Sequence, residues 1–149
     1  MLYGSKYFDV KEFACKCGCG LGTIETQIAP DLIHALHCLR IKVGVPFKIT
    51  SGVRCLKHNA AVGGGLRSTH LLGVGGQCTP GYEGQLRAVD VDTSGWSITI
   101  RAEIIQMALS MGLRVGISTT FLHFDIENAP YYAEGLWNYG AKEDSSGGQ

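Results

Sequence analysis

The chain has 149 residues and a mass of 16.0 kDa, which is the size of one domain. Thirteen Lys and Arg residues balance thirteen Asp and Glu residues, so the formal net charge is zero. Because no basic run is dense enough to neutralise a phosphate backbone either, we do not expect nucleic acid as a partner. The share of charged residues, 17%, is too low for a disordered polyelectrolyte. No stretch reaches the roughly 18–20 apolar residues of a membrane span, and the N-terminus lacks a secretory signal, so we expect synthesis in the cytoplasm.

The first half of the chain predicts a loop, a helix and a strand. The Gly-rich run Cys15–Gly20 predicts a tight loop. From Pro30 to Gly44 apolar residues recur at helical spacing, with Pro at the start and Gly just beyond the end, which is typical of a helix. Val45–Ser51 predicts a short strand. Glycine clusters between residues 63 and 84 predict a long loop.

The second half predicts one more strand, one more helix and a terminal hairpin. Ala88–Thr93 alternates at period two, so it predicts a strand with its acidic residues on one face. Ile98–Met111 carries an apolar stripe that ends before a Gly, as a helix does. Two short apolar runs, 114–117 and 121–126, predict a hairpin, and the polar tail 141–149 is expected to be flexible.

Three residues on these elements could bind a metal ion. His70 lies at the edge of the glycine-rich loop, Asp90 on one predicted strand and His123 on another. Two imidazoles and a carboxylate suit a Zn²⁺ ion with an open fourth position. Spacing alone does not establish the site, because a lone His is more often a satisfied core or surface side chain.

Motifs around these residues resemble a known family. Residues Thr50–Asn59, Val62–Gly64 and Ser68–Gly73 resemble the zinc D-Ala-D-Ala carboxypeptidases, a family that includes L-alanyl-D-glutamate endolysins of phages and shares its zinc core with the hedgehog domain. The resemblance covers about Tyr7 to Tyr139, which predicts a single zinc peptidase domain over residues 1–140. We expect an α+β fold, with a small, mainly antiparallel sheet, two main helices on one face and long loops around a cleft on the other.

The family pattern SxHxxGxAxD is interrupted in this chain by the insertion 74–86. Excising the insertion makes Asp90, rather than Asp92, the equivalent of the family's zinc ligand. The insertion is either a lid that contacts substrate, with Tyr82 as a substrate-binding candidate, or a tolerated surface insertion.

The resemblance also implies catalytic roles. His123 matches the late zinc ligand in an HxD ending, whereas Thr120 stands where other branches of the family carry an acidic residue. Asp125 shares a strand face with His123, so it is predicted either as the general base or as an acceptor that orients a ligand His.

Two further residues of the motifs are candidates for substrate binding. Arg54 of the SGxR pattern could bind a peptide carboxylate or stabilise an oxyanion; the alternative is a surface salt bridge. Ser68 is expected to brace its loop, and it is also a candidate for contact with substrate.

Cysteines suggest a second metal. Cys15, Cys17 and Cys19 would lie on one side of an extended segment, and the Cys55-x-x-His58 spacing adds a thiol and an imidazole. The alternatives to a structural zinc are disulfides formed outside the cell and unpaired buried thiols.

The resemblance implies a zinc-dependent peptidase that hydrolyses stem peptides of bacterial peptidoglycan, either as a D,D-carboxypeptidase or as an endopeptidase of endolysin type. We expect this peptidase to be a monomer. Such a protein would act at the bacterial cell wall, whether a phage or a bacterium encodes it. The alternatives are a catalytically silent, zinc-bound domain that binds the cell wall and a structural component of a virion.

Overall fold

The structure is a computed structural model that describes residues 1–65, 68–72, 84–127 and 135–139. Short 3₁₀ turns at Val10–Phe13 and Glu25–Gln27 precede the first helix. The helices are α1 (Pro30–Val43), α2 (Leu56–Ala61) and α3 (Ile98–Ser110), and the strands are β1 (Lys48–Ser51), β2 (Ala88–Asp92), β3 (Arg114–Ile117), β4 (Phe121–Asp125) and β5 (Leu136–Asn138).

The strands form one sheet in the order β1-β2-β4-β3-β5. Neighbouring strands are antiparallel except for β3 and β5, which are parallel. This confirms the α+β class and the mainly antiparallel sheet. The predicted hairpin is β3 and β4, joined by a short turn that contains Thr120.

The helix α1 begins and ends where the sequence predicts, and α3 begins at Ile98 as predicted and ends at Ser110, one residue before the predicted Met111. Gly44 follows α1 in the left-handed conformation, with φ of 71°, which a residue with a side chain rarely adopts. At the start of α3 the Ser97 hydroxyl accepts a hydrogen bond from the Ile100 N–H at 3.1 Å. Both helices bury apolar residues in the core, among them Leu36 and Ile104.

The two faces of the sheet differ in chemistry. On β2 and β4 the core side carries Val89, Val91, Leu122 and Phe124, all fully buried. Because side chains alternate along a strand, Asp90 and His123 lie on the opposite face. The fold therefore positions an acid and an imidazole side by side on the face turned away from the main core.

Two elements were not predicted. α2 is one and a half turns long and follows Cys55, and β5 extends over three residues.

Most of the insertion 74–86, including Tyr82, and the tail 141–149 lie outside the described residues, so the predicted lid, tail and domain boundaries stay predictions. The last residue of the insertion, Leu86, is 1% exposed and its N–H donates to the Gln27 carbonyl at 2.7 Å. In the described part of the chain no helix is long and apolar enough to span a membrane.

Candidate metal centre

Strand pairing brings two of the predicted metal ligands together. Asp90 of β2 lies directly opposite His123 of β4, so their side chains are cross-strand neighbours on one face. His70 reaches them from a turn that pairs with the segment after β1. The Arg54 N–H donates to the His70 carbonyl at 2.8 Å, and the Leu72 N–H donates to the Arg54 carbonyl at 3.0 Å. The SGxR segment therefore holds the histidine in place.

The three side chains converge on one point. His70 Nε2 lies 3.2 Å from Asp90 Oδ1 and 3.1 Å from His123 Nδ1, and the latter two atoms are 2.9 Å apart. Donors at about 2.0–2.1 Å from a tetrahedral zinc ion are about 3.3 Å from one another, close to these separations. All three residues are buried. The donor set and its spacing fit one Zn²⁺ ion.

The opposite nitrogens of both imidazoles have partners of their own. His70 Nδ1 lies 2.7 Å from the Gly52 carbonyl oxygen, and His123 Nε2 lies 2.7 Å from Asp125 Oδ2. An N–H at each of these positions donates to its oxygen, which directs the other ring nitrogen toward Asp90. Such outer hydrogen bonds fix the ring orientation of histidines that ligate metals.

Asp125 is held behind His123. Arg114 binds its carboxylate with two parallel hydrogen bonds, Nε to Oδ1 and Nη2 to Oδ2, both 2.8 Å long. The Thr69 hydroxyl donates to Oδ2 at 3.4 Å. The Asp125 carboxylate thus contacts the side of the imidazole that faces away from His70 and Asp90. Of the two roles predicted for Asp125, this position favours the acceptor that orients His123 over the general base.

Arg54 is an interior residue rather than part of a surface salt bridge. Its side chain is fully buried, and Nη2 donates to Asp90 Oδ2 at 3.2 Å. Nε donates to Ser51 Oγ at 3.0 Å and Nη1 donates to Asn59 Oδ1 at 3.2 Å. Arg54 therefore fixes the second oxygen of Asp90 while Oδ1 faces the histidines.

Electrostatics of the site favour a cation. Burial lowers the pKa of His70, so this ring is neutral near pH 7. Burial also opposes a charge on His123, but hydrogen bonds to Asp125 and Asp90 outweigh it and raise the pKa of His123. Burial opposes ionisation of Asp90 as well, yet the two imidazoles hold its pKa well below the usual range. The Asp90 carboxylate is thus ionised where it faces the two imidazole nitrogens, and this arrangement stabilises a cation such as a metal ion.

Three other residues singled out in the sequence, Ser68, Asp92 and Thr120, differ in whether they contact this centre. Ser68 Oγ accepts a hydrogen bond from the His70 N–H at 3.2 Å, the bracing contact expected of it. Asp92 is only partly buried, and its Oδ1 accepts hydrogen bonds from the Ser94 N–H at 2.9 Å and the Ser94 hydroxyl at 2.7 Å. Asp90, and not Asp92, therefore joins the two histidines. Thr120 is exposed in the turn between β3 and β4.

The predicted cysteine cluster also forms in part. The sulfurs of Cys15, Cys17, Cys19 and Cys55 all lie within 4.8 Å of one another. The imidazole of His58 is not part of this group; its backbone N–H donates to Cys55 Sγ at 3.4 Å instead.

Sequence reasoning missed several residues that shape the site, Arg114 and Thr69 among them. It also named Trp137 and Tyr139 only as aromatics that could line a groove or seal the core. The Trp137 ring lies 5.4 Å from the His123 ring, and the Arg114 guanidinium lies 4.6 Å above the same indole. Trp137 Nε1 and Tyr139 Oη are buried, and within the described residues neither makes a hydrogen bond of good geometry. The strand β5 has only three residues, which is too short for an alternating pattern in the sequence. Its position beside His123 could therefore not be predicted.

Comparison with known proteins agrees with the geometry. The sequence profile of the peptidase M15 family matches residues 6–125, which include all three candidate ligands. The chain belongs to the peptidase M15 family. M15 peptidases are zinc-dependent metallopeptidases, so membership implies a peptide substrate and accounts for the cluster of His70, Asp90 and His123. No curated protein and no solved structure is significantly similar to this M15 peptidase.

Proposed function

We propose that the protein is a zinc peptidase that hydrolyses peptide bonds in the stem peptides of bacterial peptidoglycan. The observation that carries the proposal is the convergence of His70 Nε2, Asp90 Oδ1 and His123 Nδ1 at tetrahedral spacing. Three protein donors leave one position for solvent or substrate, as hydrolytic zinc sites require, whereas structural sites have four.

A Zn²⁺ ion on these three atoms would supply a Lewis acid that activates water and polarises the scissile carbonyl. The protein's own residues prepare the site for it. The Gly52 carbonyl keeps the proton of His70 on Nδ1, and Asp125 keeps the proton of His123 on Nε2. Arg54 holds Asp90 in its rotamer through Oδ2. We therefore assign Arg54 and Asp125 to positioning the ligands.

Two buried donors support a substrate subsite next to His123. Trp137 Nε1 and Tyr139 Oη make no hydrogen bond of good geometry in the described residues, and a buried donor in this state costs free energy unless a ligand or water satisfies it. Burial and the nearby charge of Asp90 raise the pKa of Tyr139, so its hydroxyl keeps its proton and can donate it in a hydrogen bond. Both groups suit a carbonyl or carboxylate oxygen of a peptide.

Stem peptides as substrate are supported by the SGxR and SxHxxG motifs around Arg54 and His70, which resemble the D-Ala-D-Ala carboxypeptidases, and by the M15 match. The cleaved bond is either the terminal D-Ala-D-Ala bond or a bond inside the peptide, such as L-Ala-D-Glu. We further propose that the protein acts as a monomer at the bacterial cell wall.

The proposal is tested by incubating the zinc-loaded protein with defined muropeptides and analysing the products by mass spectrometry. Loss of one terminal D-Ala identifies a carboxypeptidase, and separation of the peptide from the sugar-linked L-Ala identifies an endopeptidase. Asp90→Ala is expected to lose the metal at this site and all hydrolysis, because it removes a ligand. Asp92→Ala, two residues along the same strand, should retain both, whereas intact substrates at full zinc loading would refute the peptidase.

A zinc-bound domain that binds the cell wall without cleaving it is the second candidate. It is favoured by Thr120, which stands where other family branches carry an acid, and by Asp125, whose carboxylate is already engaged by Arg114 and His123. Co-sedimentation with purified sacculi, together with the absence of any released fragment, would support this candidate over the peptidase.

A further inference from the structure

A second group of metal-ligating side chains lies outside the proposed catalytic centre. Three cysteines come from the N-terminal loop, Cys15, Cys17 and Cys19, and the fourth is Cys55 at the start of α2. The loop and the helix are far apart in sequence, yet the four sulfurs are brought within 4.8 Å of one another.

The sulfurs of Cys15, Cys17 and Cys55 have the spacing of a tetrahedral thiolate site. The Sγ atom of Cys15 lies 3.5 Å from that of Cys17 and 3.8 Å from that of Cys55, and the Sγ atoms of Cys17 and Cys55 are 3.7 Å apart. Zinc–sulfur bonds of about 2.3 Å in a tetrahedron separate the sulfurs by about 3.8 Å. A disulfide instead needs about 2.05 Å between two sulfurs, and it would draw them together in pairs rather than around one centre.

The backbone of the loop is shaped to present these sulfurs. Gly18 and Gly20 have φ angles of 81° and 88°, which allow the chain to reverse between the cysteines. The Cys15 N–H donates to the Leu21 carbonyl at 2.9 Å, and the Gly18 N–H donates to the Cys15 carbonyl at 3.2 Å. On the other side of the cluster, at the start of α2, the His58 N–H donates to Cys55 Sγ at 3.4 Å. Backbone N–H groups directed at sulfur stabilise a thiolate.

We propose that Cys15, Cys17, Cys19 and Cys55 bind a second Zn²⁺ ion in a closed, structural site. All four positions of the tetrahedron are filled by protein sulfur, so this ion has no place for substrate. The site therefore differs in function from the centre at His70, Asp90 and His123, and it does not depend on the protein being a peptidase.

The structural ion would connect the N-terminal loop to the segment that supports the catalytic centre. Cys55 directly follows Arg54, which binds Asp90. The Val53 N–H donates to the Phe13 carbonyl at 2.8 Å, two residues before Cys15. Gly52, whose carbonyl accepts from His70, packs so closely on Phe13 that an added Cβ would lie 2.6 Å from the Phe13 oxygen. Loss of the ion should therefore loosen the support of His70 and Asp90.

Zinc counting in purified full-length protein tests the proposal. We expect two zinc ions per chain in the wild type and one in the double variant Cys17→Ser, Cys19→Ser. Cys38→Ser on α1, a cysteine outside the cluster, is the matched control and should keep two. The variant Asp90→Ala should also keep one ion, and combining it with the double cysteine variant should leave none. Equal zinc content in the double cysteine variant and the Cys38→Ser control would overturn the proposal.

A second measurement on the unaltered protein covers the case in which the cysteine variants fail to fold. A thiol-specific mercurial reagent added to native wild type should release one zinc ion per chain as the cluster thiols react, while the Asp90→Ala protein should release its single remaining ion in the same way. Reaction of the four thiols without zinc release, disulfides within the cluster, or iron in place of zinc would each refute the assignment.

Discussion

At the scale of single residues, the hydrogen bonds on the far side of each imidazole determine which ring nitrogen is free to bind a metal ion. Asp125 does not face the point where His70, Asp90 and His123 converge; it binds His123 Nε2 at 2.7 Å and is itself held by Arg114. A carboxylate in this position keeps the neighbouring imidazole in one tautomer and strengthens it as a metal ligand. The same carboxylate as a general base would have to reach a water molecule on the far side of the ring.

The substitution Asp125→Asn separates these two roles. If Asp125 orients His123, the change should weaken zinc affinity by roughly 10–100-fold and lower activity in parallel at limiting zinc. Zinc affinity is measured by competition with a chromophoric chelator, and kcat is measured at saturating zinc. Asp92→Asn is the control, because Asp92 contacts Ser94 rather than the centre. Unchanged zinc affinity with a large loss of kcat would show that Asp125 is the base.

The cluster of candidate ligands could be predicted, because each of its residues belongs to a short motif or to a strand with clear alternation. Asp90 could be chosen over Asp92 only by comparing the interrupted motif with the family pattern. The role of Asp125 could not be resolved, since alternation places a side chain on a face but says nothing about which imidazole nitrogen it meets. Arg114 gave no signal, because its partner Asp125 is supplied by strand pairing between β3 and β4.

At the scale of elements, β5 brings aromatic donors to the metal centre. Gly116 of β3 lies between His123 of β4 and Trp137 of β5 in the register of the sheet. An added Cβ at Gly116 would lie 2.7 Å from the Trp137 ring and 2.9 Å from Tyr139 Oη. The absence of a side chain at this position therefore lets the aromatic residues pack close to His123.

We expect Gly116→Ala to displace the Trp137 ring and to lower stability by about 1–3 kcal/mol, the usual effect of overpacking. Peptidase activity should fall because the ring that packs against His123 moves. Trp fluorescence and urea unfolding measure the two effects. Gly135→Ala is the control on the neighbouring segment, since no atom of the described residues lies within 4 Å of its added Cβ. Equal fluorescence and stability in the two variants would show that Gly116 does not determine the position of Trp137.

The elements that sequence reasoning found are those with a long periodic pattern and clear end signals, such as α1 between Pro30 and Gly44. β5 has three residues and joins β3 in parallel, so its pairing depends on contacts distant in sequence rather than on a local turn. α2 has six residues and directly follows Cys55, whose thiol accepts a hydrogen bond from the His58 N–H. A helix this short has too few turns to show a reliable apolar stripe.

At the scale of the whole molecule, two candidate metal sites contact the same short segment. Gly52 and Arg54 support His70 and Asp90, and Cys55 supplies a sulfur to the cysteine cluster. The sites should differ in how they exchange metal, because one has three protein donors and an open position and the other has four sulfurs. The first site is expected to lose its ion more readily, and the second is expected to contribute to folding.

Stepwise removal of metal tests this division. Brief dialysis of the wild type against a chelator should remove one zinc ion per chain and abolish hydrolysis while the thermal unfolding temperature changes little. Longer treatment should remove the second ion and lower that temperature markedly, because the N-terminal loop then loses its link to Cys55. Zinc content, hydrolysis of muropeptides and thermal unfolding are followed on the same samples, with Asp90→Ala as the control that starts at one ion. Unfolding that accompanies loss of the first ion would instead favour a structural protein held together by its metal, since a catalytic ion with an open position is not needed to keep the sheet folded.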